Sequence, residues 1–195
     1  MSYKYDVFLS VKWDEMFGAW VHEHFLPVFV PHVKNHVIAK CNREFGGVFY
    51  FKEDIKYGTN WKNELKDVIP RSRCAIALCS PDYFRSPYCM LEWRSFSDRA
   101  EQANAELIVP ASIHDGESFP PFARDIQVGD LHSFVIPGPG FLKTALYADF
   151  VTRVMEIAEC VAEKVKNAPT YQPWAVADEG LLAPAPEPHI PQETL

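Results

Sequence analysis

One carboxylate stands apart in the segment SPDYFRSPYCMLEW, residues 80–93: Glu92, set among aromatics, a thiol and small hydroxyls. Its helical neighbours three and four positions away are Tyr88, Cys89, Ser95 and Phe96, and none is a cation. A glutamate that only stabilises a surface helix usually has a lysine or arginine at such a position. The alternative reading is a solvated glutamate near a helix N-terminus, where the macrodipole favours negative charge. If Glu92 does chemistry, a single fixed anion beside aromatics suits stabilisation of a positive charge that grows on a bound molecule. Cys89, close to the same helix start, could have its pKa lowered by the dipole. No histidine is spaced to pair with it, so a buried thiol is the better reading. The pairs His22-x-His24 and His32-x3-His36 have ligand-like spacing but no evident third ligand, and they read as structural or surface histidines.

The elements that must carry these residues follow from periodicity. Residues 5–10 (YDVFLS), 47–51 (GVFYF), 74–79 (CAIALC) and 106–111 (ELIVPA) are short and apolar throughout, as strands covered on both faces are. Residues 132–136 (HSFVI) make a weaker fifth. Segments long enough for helical crossovers separate them, which implies a parallel sheet with helices on both sides. Ser86-Pro87 reads as a helix start, with the hydroxyl capping and the proline in the first turn. On that helix Cys89, Trp93, Phe96 and Ala100 form an apolar stripe, with Tyr88, Glu92, Ser95 and Arg99 beside it.

Residues 14–43 are long and helical but carry Pro27 and Pro31, which predicts two helices or one broken helix. A short helix spans 61–69, and a strict apolar stripe from Tyr147 to Val165 predicts a last helix docked on the sheet. Residues 115–130 read as loop, with no regular crossover helix. The domain is expected to span residues 1–167. Residues 168–195, with six prolines, read as a proline-rich tail, either loose or laid on a partner through Tyr171 and Trp174.

Composition narrows the function classes. With 195 residues and a net charge of −7, the chain has no basic stripe for nucleic acid or an anionic membrane. No apolar run approaches the length of a membrane span. Five cysteines, an odd number with two in one apparent strand, disfavour a disulfide framework and fit a reduced, cytoplasmic setting.

In an open parallel sheet, ligands bind beyond the C-terminal strand ends where strand order reverses. Residues 10–14, 52–60 and 80–86 would empty into that crevice, and the helix bearing Glu92 begins there. Residues 11–15 hold no glycine to cradle phosphates, which disfavours nucleotide triphosphate hydrolysis. A phospho-acceptor aspartate at the end of the third strand is also missing, since Cys79-Ser80 stands there. One acid, aromatics and polar loops around a crevice suit the N-glycosidic bond of NAD+. Nicotinamide leaves neutral without a protonating acid, and the ribose develops oxocarbenium character. One carboxylate then suffices, where ordinary glycosidases use two.

Three stretches, YDVFLS, VFYFKEDIKYGTNWKNELKDVI and AIALCSPDYFRSPYCMLEW, resemble in order and spacing the boxes of the Toll/interleukin-1 receptor (TIR) domain family. The resemblance spans roughly residues 3–165, and its third box is the most specific. It implies a flavodoxin-like three-layer α/β fold with a five-stranded parallel sheet in the order 2-1-3-4-5. It also implies either of two activities. Members cleave NAD+ to nicotinamide and ADP-ribose or a cyclic ADP-ribose, often as antiviral or cell-death effectors, or they act as non-enzymatic scaffolds through TIR–TIR contacts.

The catalytic glutamate of the enzymes matches Glu92, which favours a bacterial-type NAD+ glycohydrolase with possible cyclase activity. Substrate contacts carry over to Ser10, Lys12, Trp13 and Tyr88, the last standing where the family typically has tryptophan. An aspartate often found at the end of strand two is Phe51 here, leaving its role to Glu53 or Asp54. The loop holding Lys52, Ile55, Tyr57, Gly58 and Trp61 matches the one that meets a neighbouring subunit in active assemblies. The implied partners are NAD+ as substrate, further copies of the chain and another defence protein. No metal or cofactor is implied.

Overall fold

The computed structural model describes residues 2–13, 15–50, 61–124 and 129–177. Five parallel strands, β1 (Tyr5–Val11), β2 (Val48–Tyr50), β3 (Ser72–Cys79), β4 (Ile108–Ser112) and β5 (Gly129–Asp130), lie in the order β2-β1-β3-β4-β5. This is the flavodoxin-like α/β order expected from the sequence. The helices are α1 (Glu15–Trp20), α2 (Leu26–Cys41), α3 (Trp61–Val68), α4 (Pro81–Arg85), α5 (Pro87–Ala103), α6 (Pro121–Arg124) and α7 (Leu146–Lys166).

Alternation along β1 sets up the layers. Val7, Leu9 and Val11 face a core closed by α1, α2 and α7, where Trp20, Phe25, Phe29, Phe150 and Val154 are fully buried. Phe8 faces the other way, onto Phe49, Leu65, Val68 and Phe96 of the α3–α5 layer. Period-two strands buried on both faces thus produce two cores. Ser10 shares the face of Phe8, so the pleat aims its hydroxyl at α5.

Three local expectations are revised. Residues 132–136 are not a strand: His132–Phe134 form a 3-10 turn, and the fifth strand is Gly129–Asp130 just before it. At Gly129 a Cβ would lie 2.7 Å from Cγ1 of Ile157, so only glycine lets α7 pack that close to β5. The first helical region does not break at its prolines. A π turn, Val21–Phe25, joins α1 to α2, with the Leu26 N–H donating to the Val21 carbonyl five residues back. Pro27 falls in the first turn of α2, where its missing N–H costs little, and Pro31 is carried inside the helix on its exposed side.

The third revision concerns the tail. Residues 168–177 have no regular structure but strap across the domain they belong to. Trp174 Nε1 donates to the Tyr3 hydroxyl at 3.0 Å, the Tyr3 hydroxyl donates to the Pro169 carbonyl at 3.1 Å, and Tyr171 meets Tyr3 edge-on. Proline removes helix and strand as options, yet Tyr171 and Trp174 still dock on the domain through Tyr3, with the Trp174 N–H satisfied.

At the other sheet margin, β5 pairs only with Ala111 and Ser112. The bonds from Ala75 N–H to the Leu107 carbonyl and from Ile113 N–H to the Cys79 carbonyl turn the odd residues of β4 toward β3. The backbone of Ile108 and Pro110 therefore faces outward.

Candidate active site

Two serine–proline pairs build the site. Ser80 accepts the Tyr83 N–H at 3.1 Å and opens α4; Ser86 accepts the Cys89 N–H at 3.4 Å and opens α5. Each proline occupies the first turn, where its missing donor costs nothing. The region expected as loop between residues 80 and 86 is thus a short helix, and it drives Tyr83 beneath the sheet end, fully buried. Helix α5 then places Glu92 on its second turn, facing the C-terminal end of β1.

The stripe beside the apolar one on α5 is not solvated. Glu92, Ser95 and Arg99 are all buried. Arg99 donates to the carbonyls of Ser72 (2.6 Å) and Ile69 (2.7 Å) and lies under the ring of Trp174, while Ser95 Oγ accepts the Ala177 N–H at 3.0 Å. The helix is buried on two adjacent faces, by the sheet and by the strap, so the reading of Glu92 as a surface glutamate is overturned.

Glu92 is 7% exposed, and its Oε2 accepts the Ser10 hydroxyl at 2.5 Å. Ser10 Oγ in turn lies 2.8 Å from the Tyr83 hydroxyl. Among the described residues no cation pairs with Glu92. Asp6, the other buried carboxylate, has Arg43 at 2.6 Å and Arg73 at 3.1 Å. Burial without a countercharge pushes the Glu92 carboxyl up to about 8, against the smaller opposing effect of the Ser10 hydrogen bond. A buried, uncompensated acid facing a cavity is the pattern of a working site rather than a stabilising one. Burial also raises the Cys89 thiol, to about 12, with the Glu92 charge adding to it, so desolvation overrides any dipole effect.

A cavity of about 320 Å³ opens over Glu92, lined by Leu9, Val11, Lys12, Trp13, Leu65, Ser86, Tyr88 and Cys89. Lys12, Trp13, Tyr88 and Glu92 thus come together as the sequence suggested, while Ser10 sits one layer below, against the carboxylate. Asp54, Lys52, Ile55, Tyr57 and Gly58 lie outside the described residues, and Trp61 begins α3. Trp13 is braced from behind: its Cε3 lies 3.0 Å from where a Gly18 Cβ would be, and its ring stands 5.5 Å from that of His22. Gly18 and Tyr83 were not singled out from sequence, and His22 was weighed only as half of a metal-like pair and read as structural or surface. The signals were a glycine inside a helix and a tyrosine three residues after a capping serine. His24, by contrast, is a core histidine, its Nε2 3.1 Å from the Gly138 carbonyl and its ring against Phe141.

Two other hollows, at His114 and His132 beyond β4 and β5 and along β4 and α7, hold no buried carboxylate. Among the described residues no helix is long and apolar enough to cross a membrane.

Comparison with curated proteins returns no match. Among solved structures the chain is similar to the TIR domain of the Toll-related receptor TRR-2 from Hydra magnipapillata, at 16% identity over 78% of this chain and 98% of that one, with a TM-score of 0.46. It is also similar to the TIR domains of the activated Roq1 resistosome, which directly recognises the pathogen effector XopQ, at 24% identity over 82% and 84% of the two chains, with a TM-score of 0.40. A family model described as a TIR domain matches residues 38–151, more than half the sequence and the part that carries β2 to β5 and Glu92. The chain belongs to the TIR domain family.

Proposed function

We propose that this protein is an NAD+ nucleosidase that releases nicotinamide and leaves ADP-ribose or a cyclic ADP-ribose. The observation that carries the proposal is the buried, unpaired Glu92 carboxylate lining a cavity with Trp13, Tyr88 and Lys12. At about 320 Å³ the cavity lies at the small end of ligand pockets and suits the nicotinamide–ribose end of the dinucleotide. The aromatic rings of Trp13 and Tyr88 offer faces to the pyridinium, and Lys12 at the mouth offers a cation to the pyrophosphate.

In the reaction the bond from ribose C1′ to the nicotinamide nitrogen breaks, and its electron pair leaves with nicotinamide. The ionised Glu92 stabilises the oxocarbenium ion beneath the ring. Water then adds to C1′ and releases its proton, giving ADP-ribose; attack by an atom of the same dinucleotide gives the cyclic product instead. Entry of the cationic pyridinium favours the anionic form of Glu92 at a pH where the empty site holds it protonated.

The test is nicotinamide release from NAD+ by purified protein, compared with Glu92→Ala. Loss of more than about 100-fold is expected, since removing one electrostatic stabiliser costs that order. Equal rates for both chains would sink the reading. Self-assembly through residues 52–61, a cytoplasmic setting and a role as an antiviral or cell-death effector belong to the same proposal.

One feature favours a second reading, a scaffold acting by TIR–TIR contacts: burial raises the Glu92 carboxyl and so favours its uncharged form in the lone chain. A scaffold would bind its partners equally well with Glu92→Gln and lose them with Tyr57→Ala.

A further inference from the structure

Glu92 does not stand alone in the interior; it ends a chain of hydroxyls. Tyr83, with no exposed surface, reaches Ser10 Oγ at 2.8 Å, and Ser10, 2% exposed, reaches Glu92 Oε2 at 2.5 Å. The three side chains come from α4, β1 and α5, so three elements converge on one carboxylate. A serine hydroxyl has one proton. When that proton goes to Glu92, the serine oxygen is left as an acceptor, and Tyr83 is the buried donor at hand.

We propose that Tyr83 is a positioning residue for Glu92, acting through Ser10 to hold the carboxylate in one orientation and to favour its anionic form. The inference rests on the nucleosidase reading for its catalytic consequence, though not for its geometry.

The direction of the chain follows from its distances. With Glu92 ionised, donation runs from Tyr83 to Ser10 to Glu92, both links short. With Glu92 protonated on Oε2 the chain reverses, and the Tyr83 proton turns to the Cys89 carbonyl at 3.4 Å; protonated on Oε1, the carboxyl still accepts from Ser10, but as a neutral and weaker acceptor. That carbonyl lies inside α5, where the helical ladder already serves it. The reversed chain ends in a long, redundant bond; the forward chain does not. Tyr83 therefore lends more to the anion than to the acid.

Other groups face the carboxylate without replacing this contact. Lys12 and Tyr88 stand at the cavity wall, Leu65 of α3 is apolar, and burial keeps the Cys89 thiol and the Tyr83 phenol protonated.

The experiment has two arms. In the first, the carboxyl of Glu92 is titrated by carbon-13 NMR in the unliganded full chain. Tyr83→Phe is expected to raise the midpoint by half a pH unit or more. A more acidic phenol, 3-fluorotyrosine at position 83, is expected to lower it and serves where the phenylalanine variant folds poorly. In the second arm, the acid limb of the pH–rate profile for nicotinamide release moves with the midpoint, so that high pH restores most of the Tyr83→Phe loss. An unmoved midpoint in both variants overturns the role of Tyr83, whether or not NAD+ is cleaved. A native chain that cleaves no NAD+ overturns the nucleosidase reading, while a shifted midpoint still upholds the coupling. A loss equal at every pH would mark Tyr83 as packing alone and overturn the proposal.

Discussion

At the scale of single residues, one buried acid ties the proposed reactivity to stability. Because burial raises the Glu92 carboxyl from an ordinary value to about 8, the folded chain keeps a proton that the unfolded chain gives up near pH 4.5. Between those values the unfolded state binds fewer protons, so stability falls as pH rises, and the full cost is present above pH 8. Glu92→Gln removes that cost. Its melting temperature should exceed that of the native chain at pH 8.5, by an amount reflecting at most about 5 kcal/mol, and should match it near pH 4.5. Thermal melts across pH check this. Activity should run the opposite way, with nicotinamide release climbing toward pH 8 as the carboxylate forms. Gly18 offers a second separation of stability from function. Gly18→Ala supplies a better helix former, a gain of about 1 kcal/mol, while its methyl pushes on the Trp13 ring. A melting temperature held or raised together with a several-fold higher KM for NAD+ is the expected pair of results.

At the scale of elements, what the sequence displayed depended on how local the signal was. Ser86-Pro87, the Cys89–Phe96 stripe and the α7 stripe are local patterns, and each stands in the structure where its spacing put it. Burial of Ser95 and Arg99 was hidden because the cover comes from residues 168–177, remote in the chain and lacking periodicity, and burial of Glu92 because Ser10 of β1 meets it across 82 residues of sequence. The π turn joining α1 to α2 was hidden for another reason: its five residues carry no pattern of their own. The strap and the α7–β5 contact give tests at this scale. Trp174→Ala removes the ring over Arg99 and a hydrogen bond to Tyr3, and should cost about 3 kcal/mol in denaturant unfolding, within the range for buried tryptophan. Gly129→Ala should lower the melting temperature by several degrees through its 2.7 Å clash with Ile157. Adding Ile157→Val should restore part of that loss, because the clash is with one flexible side chain rather than with backbone.

At the scale of the whole molecule, strand order places the site. Reversal between β1 and β3 opens the crevice, and the flanking α5 brings Glu92 to it, so the general location of the candidate site was readable from the run of apolar segments. If activity depends on assembly, specific activity should rise with protein concentration, and Tyr57→Ala should flatten that dependence without changing the melting temperature. The outer margin of the sheet constrains how copies could meet. Pro110 faces outward there and has no N–H to donate. That margin is therefore a poor template for β-augmentation. Where copies of this chain meet, a strand added on that side of the sheet could not complete its ladder across Pro110.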